Sequence, residues 1–164
     1  MRRFTGWTLL FTRLLIGGVF LIAGVLKALD ADATVRSVRA YDLLPESLAH
    51  LVGWGLPFAE ILAGAFLIAG VFTRTAAVIT ALMLLAFVAG IAQAWARGLA
   101  IDCGCFGTSY TTGADPVAYA IDIARDALMI AGCAGLTLAG PGRYAVQTPL
   151  NRWFAAAEPT TGDH

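Results

Sequence analysis

Two thiols separated by a single glycine stand where a long apolar run ends, in the stretch "IDCGCFG", residues 101 to 107. Cys103 and Cys105 are the side chains here best suited to covalent chemistry. A disulfide needs Cα atoms about 4.4–6.8 Å apart. Residues two apart meet that range only if the chain bends between them, and Gly104 permits the bend. The small ring is expected to be strained, and strain makes a disulfide easier to reduce. Such a pair suits electron exchange better than permanent bracing. Gly107 leaves room for a partner backbone to approach. Two alternatives stay open. A metal is one: Cys103 and Cys105 with Asp102 and the distant His50 make a poor zinc set, but copper(I) tolerates fewer ligands. A purely structural pair is the other. The third cysteine, Cys133, falls deep in a later apolar stretch and reads as a small core residue.

Ionisable residues recur inside the apolar stretches. Arg13, Gly17, Phe20, Gly24 and Lys27 are spaced 4, 3, 4 and 3 residues apart, so they form one stripe of a helix. Glycines seven apart let another helix come close. Arg13 is read as structural. Pro57, Glu60 and Gly64 share a face in the next stretch. In the last one Asp122 and Arg125 are three apart and suited to an ion pair, while Asp122 and Asp126, four apart, repel. Glu60 is expected about 12 Å, and the Asp122–Asp126 group about 9 to 15 Å, below one membrane surface at ~1.5 Å per residue. Lys27, Glu60, Asp122, Arg125 and Asp126 therefore fall in the same half of the bilayer. Charges there need partners or protons, and read either as a charge and proton network or as an ion network that fixes helix order.

These residues require a membrane body to position them. The 164 residues are 59% hydrophobic and 13% charged, with a mean hydropathy of +0.75; soluble domains are typically about 25% charged. Eleven basic and eleven acidic residues cancel, which gives no sign of nucleic-acid binding. Four stretches, roughly 7–29, 52–72, 74–95 and 117–139, are near the ~20 residues that span a bilayer, and in lipid they must be helices. The expected fold is an all-α, four-transmembrane-helix up-down bundle over 1–140. A tail, 141–164, carries the interfacial anchors Tyr144, Trp153 and Phe154 before a polar end. A signal peptide is the rival reading of the first stretch, given Arg2-Arg3 and Ala31-Asp32-Ala33.

Both long loops fall on one side of such a bundle. In the first, Val35, Val38 and Tyr41 alternate with Arg36 and Arg39, which predicts a short helix lying at the interface. Pro45-Glu46-Ser47 then reads as a break and a new helix start. The positive-inside bias, with Arg2, Arg3, Arg74, Arg143 and Arg152 against Arg36, Arg39 and Arg97, predicts cytoplasmic termini. The Cys-Gly-Cys loop then lies outside the cytoplasm, where disulfides persist.

The segments "RLLIGGVFLIAGVLK", "YDLLP", "LPFAEILAG" and "DCGCFG", in this order over about residues 10–140, resemble the methylamine-utilisation MauE family of the DoxX-like membrane proteins. The resemblance implies a bacterial inner-membrane protein with a bundle similar to that of vitamin K epoxide reductase. It also implies a role in maturing methylamine dehydrogenase, whose small subunit is rich in disulfides, beside a thioredoxin-like partner. The motif residues are Arg13, Lys27, Glu60, Cys103 and Cys105. The chain departs from the vitamin K epoxide reductase pattern, which uses Cys-x-x-Cys and a second loop pair. Here the spacing is Cys-x-Cys and the first loop has no cysteine, so a relay needs a partner to supply the other thiols.

The expected function is thiol–disulfide exchange through Cys103 and Cys105 in the oxidative maturation of an extracytoplasmic protein. Arg125 or Lys27 would favour the attacking thiolate. Glu60 and Asp122 would carry the accompanying protons, with a membrane quinone as a candidate electron acceptor. The rival reading is non-enzymatic: an assembly factor, or a protein that handles copper or small solutes.

Overall fold

The computed structural model describes residues 2–98 and 116–139. Cys103, Gly104, Cys105, Gly107 and the tail 141–164 lie outside the described residues. Five helices follow in order: α1 (Arg2–Leu29), α2 (Ala31–Ala40), α3 (Glu46–Ala69), α4 (Thr73–Ala96) and α5 (Pro116–Ala139). Among the described residues there is no strand.

Three segments are long and apolar enough to cross a membrane: Gly6–Leu29, Glu46–Ala69 and Thr73–Ala96, each of 24 residues. At ~1.5 Å per residue each is about 36 Å long, enough for a hydrocarbon core of about 30 Å. Only 28 to 33% of these apolar windows is buried inside the protein. Large side chains such as Ile22, Phe58, Leu62 and Leu82 point outward instead. That outward apolar surface is what a bilayer solvates. α5 is as long, but carries Asp122, Arg125 and Asp126 in its first half.

α3 begins at Glu46, six residues before the expected span, because its first turns pack against α2 rather than serving as a loop. It ends at Ala69, three residues early. Gly70 takes a left-handed φ of 69° there, which a Cβ would disfavour, and Val71 N–H donates to the Phe66 carbonyl at 3.2 Å. The chain reverses into α4 within three residues.

α1 and α3 form the closest seam. A Cβ on Gly64 would lie 2.6 Å from the Gly17 carbonyl oxygen, and one on Gly24 would lie 2.8 Å from the Pro57 carbonyl oxygen. Seven residues forward on α1 match seven backward on α3, so the two helices are antiparallel. Elsewhere α4 packs on α5, α3 on α4 and α1 on α5. All four long helices supply the apolar core, with Ile16 and Phe20, Ala63 and Leu67, Ala77 and Leu84, and Met129 and Leu136.

α2 caps one end of this body. Asp30 caps it by accepting from the Ala33 N–H at 2.9 Å. Its buried residues are Ala33, Thr34 and Val35. Val35 fits where Gly53 has no side chain, since a Cβ there would meet Val35 Cα at 2.7 Å. The Thr34 hydroxyl donates to the Lys27 and Asp30 carbonyls at 3.3 and 3.2 Å, tying α2 to the end of α1. At the same end Arg97, just past α4, reaches the Tyr41 carbonyl at 3.2 Å and Asp42 at 3.5 Å.

Candidate functional site

The α1 stripe points inward as a unit: Arg13, Gly17, Phe20, Gly24 and Lys27 are all buried. On α3 the periodicity does the same for Gly53, Pro57, Glu60, Gly64 and Leu67. Lys27 and Glu60 meet near the α2 end of that seam, Nζ to Oε1 at 2.5 Å, with side chains 6% and 2% exposed. The Lys27 ammonium also lies over the Phe87 ring of α4, 5.0 Å from its centre, where the ring quadrupole attracts a cation.

α5 brings the second ion cluster to the same place. Arg125 donates Nε and Nη2 to Asp126 Oδ1 at 3.1 and 3.0 Å. Its Nη1 lies 3.3 Å from Asp122 Oδ1. Asp126 is buried, whereas Arg125 is 30% and Asp122 19% exposed. The guanidinium thus links a partly open carboxylate to a closed one.

Between the two clusters lies a small cavity whose walls come from all four long helices, among them Lys27, Glu60, Phe87, Arg125 and Asp126. About 20 Å³ is open to water, against the roughly 10–15 Å³ that one water needs. Glu60 Oε2 and Asp126 Oδ2 are buried and accept no hydrogen bond among the described residues. Among the described residues no group of three or more His, Cys, Asp or Glu side chains forms a metal set.

Burying an ion costs several kcal/mol, by order of magnitude, and a buried pair roughly breaks even against packed apolar side chains. Fold stability alone therefore gives little reason for five ionisable groups in an apolar body.

Other residues singled out from the sequence lie elsewhere. Arg13 is buried but sits 14 residues from Lys27, about 21 Å along α1, so it does not belong to the cluster. Gly17 and Gly64 form the α1–α3 contact below it, and Gly24 with Pro57 brings the two backbones together beside Lys27 and Glu60. Cys133 is fully buried in the apolar core and free. Phe87 and Thr34 were not visible as partners of Lys27, because an aromatic in an apolar run and a threonine in a short helix carry no distinguishing spacing.

The family described as Methylamine utilisation protein MauE matches residues 5–139. The chain belongs to the MauE family. Membership implies a role in methylamine utilisation, and with the span-length helices it makes this MauE chain a multi-pass membrane protein. No curated protein and no solved structure matches the chain.

Proposed function

We propose that this MauE protein is a membrane thiol–disulfide exchanger that supports oxidative maturation of an extracytoplasmic protein, of the methylamine dehydrogenase type. The four long helices all span the bacterial inner membrane, α5 shielding Asp122, Arg125 and Asp126 against its neighbours. α2 lies at the outer interface, and both termini are cytoplasmic. The observation that carries this reading is the buried ion cluster at the α2 end of an otherwise apolar body. The connection from α4 to α5, which holds Cys103 and Cys105, leaves and re-enters the body at that same end.

The chemistry balances as follows. A thiolate of a thioredoxin-like partner attacks the Cys103–Cys105 disulfide; the mixed disulfide is resolved by the partner's second thiol. The partner leaves oxidised, and Cys103 and Cys105 receive two electrons and two protons. Reoxidation returns both to an acceptor. Lys27 and Arg125 supply the positive field that favours thiolate, and Glu60 and Asp122 handle the protons. A membrane quinone is the candidate acceptor in this scheme.

Single Cys103→Ser and Cys105→Ser variants test the exchange. One of them should trap a reductant-sensitive mixed disulfide with an extracytoplasmic protein. In the native chain both thiols should react with a membrane-impermeant reagent only after reduction. Thiols that stay free and unreactive throughout would sink the redox reading, as would labelling only from the cytoplasmic side. Retained maturation in a doubly substituted Cys103→Ser, Cys105→Ser chain would point to a non-enzymatic assembly factor instead.

A further inference from the structure

The two ends of α2 are held in different ways. Its start is built into the body: Asp30 caps it, the Thr34 hydroxyl bonds to the Lys27 carbonyl, and Val35 fills the place beside Gly53. Beyond Val35, Arg36, Arg39 and Ala40 are exposed, and the turn that follows puts Asp42 at φ 50°. That is the left-handed region, which costs a residue with a Cβ. This end of α2 reaches across to α4. Arg97, the C-cap of α4, donates to the Tyr41 carbonyl at 3.2 Å and pairs with Asp42 at 3.5 Å. The Tyr41 ring faces Gly90, where a Cβ would lie 3.4 Å from Cε1, at the near edge of ordinary contact. Gly90 is on the turn of α4 just after Phe87, whose ring lies against the Lys27 ammonium and walls the cavity.

We propose that the second half of α2, with Tyr41 and Asp42, is a strap that opens and closes the Lys27 end of the cavity, and that Arg97 is its latch. Closed, Tyr41 covers the gap between α4 and the α1–α3 seam above Phe87, and Lys27 stays buried. Open, water and small solutes from that side reach the Lys27–Glu60 pair. The latch is one exposed ion pair with one further hydrogen bond, so thermal motion releases it readily. Release also relaxes the backbone at Asp42. Arg97 stands six residues before Cys103 in the chain. A partner that draws on the connection between α4 and α5 therefore pulls on the latch, and brings the Lys27 charge within reach as the thiols react. That coupling rests on the function proposed above, whereas the strap does not.

Lys27 is the only lysine in the chain. Its acetylation by a water-soluble ester, read peptide by peptide on the full chain in lipid nanodiscs, therefore reports the open state. Arg97→Ala should speed that acetylation roughly two- to fivefold, the scale of one exposed ion pair. Gly90→Ala adds a methyl group against the Tyr41 ring and should slow it about two- to fourfold. Gly18→Ala, whose methyl group meets nothing within 4 Å, should leave the rate unchanged and removes helix propensity from the comparison. Cys133 is buried beside Gly132, which packs on Thr12 and Ile16 away from the strap, and should stay closed to maleimide in each chain. The Cys103→Ser, Cys105→Ser chain should acetylate at the native rate, so failure of the strap and failure of the exchange reaction are read apart. An unchanged rate in either Arg97→Ala or Gly90→Ala overturns the proposal. So does acetylation that rises together with Cys133 labelling, because the whole body has then loosened.

Discussion

Gly64→Ala adds one methyl group at the tightest point of the α1–α3 seam. Its Cβ would lie 2.6 Å from the Gly17 carbonyl oxygen and 2.7 Å from the Leu21 amide nitrogen. Both are backbone atoms, so no side chain can turn away. Ordinary contact begins near 3.4 Å, so α1 must retreat by about 0.8 Å. A radial gap of 0.5–1 Å forfeits about a quarter to a half of each dispersion contact along the seam. Overpacking of this kind typically costs about 1–3 kcal/mol. Replacing glycine by alanine also favours a helix, by about 1 kcal/mol in soluble hosts, and a control must remove that term. Gly18 provides it: it lies on α1 next to the seam, and a Cβ there meets nothing within 4 Å. Gly64→Ala should thus be about 1–3 kcal/mol less stable than Gly18→Ala. At roughly 2–4 °C per kcal/mol for a chain of this size, thermal unfolding in detergent micelles resolves the gap. If Gly64→Ala unfolds with or above Gly18→Ala, the helices do not meet through their backbones at this point and the seam is wrong.

Three further outcomes follow from named contacts. Glu60→Met alone leaves the Lys27 ammonium buried without its carboxylate and should cost about 3–5 kcal/mol, while the paired Lys27→Met, Glu60→Met chain should recover most of it; a double-mutant cycle in denaturant measures both. Cys133 is fully buried in the core, so a maleimide should modify it only after denaturation, and Cys133→Ser should cost about 1–3 kcal/mol by placing a hydroxyl among apolar side chains. Asp30→Ala removes the cap of α2 and should cost about 1 kcal/mol, seen as faster amide exchange over residues 31–36 with α3 unchanged.

The long elements were legible because lipid leaves the backbone few choices: apolar runs near 24 residues have to be helices, and small residues at seven-residue spacing have to meet a neighbour. The start of α3 was less so. Glu46 and Ser47 follow a proline break that marks a helix start, but a polar composition does not say whether the first turns belong to a loop or to the body. Packing of Val35 on Gly53 decided that. For the candidate site, periodicity put Lys27, Glu60 and the α5 charges on particular helix faces, and the helix rise put them in the same half of the membrane.

Sequence alone thus determined the solvent, the helices and the stripe that each one buries, since all of these follow from local composition and a 3.6-residue period. Which charge meets which was decided only by the tertiary structure. Lys27 takes Glu60, 33 positions away, Arg125 turns to its neighbour Asp126 as well as to Asp122, and Phe87 of α4 closes the cavity beside them. Ion pairing acts over a few ångströms and depends on side-chain direction, so it is fixed only once α1 and α3 have closed through their glycines and α5 has been set against them.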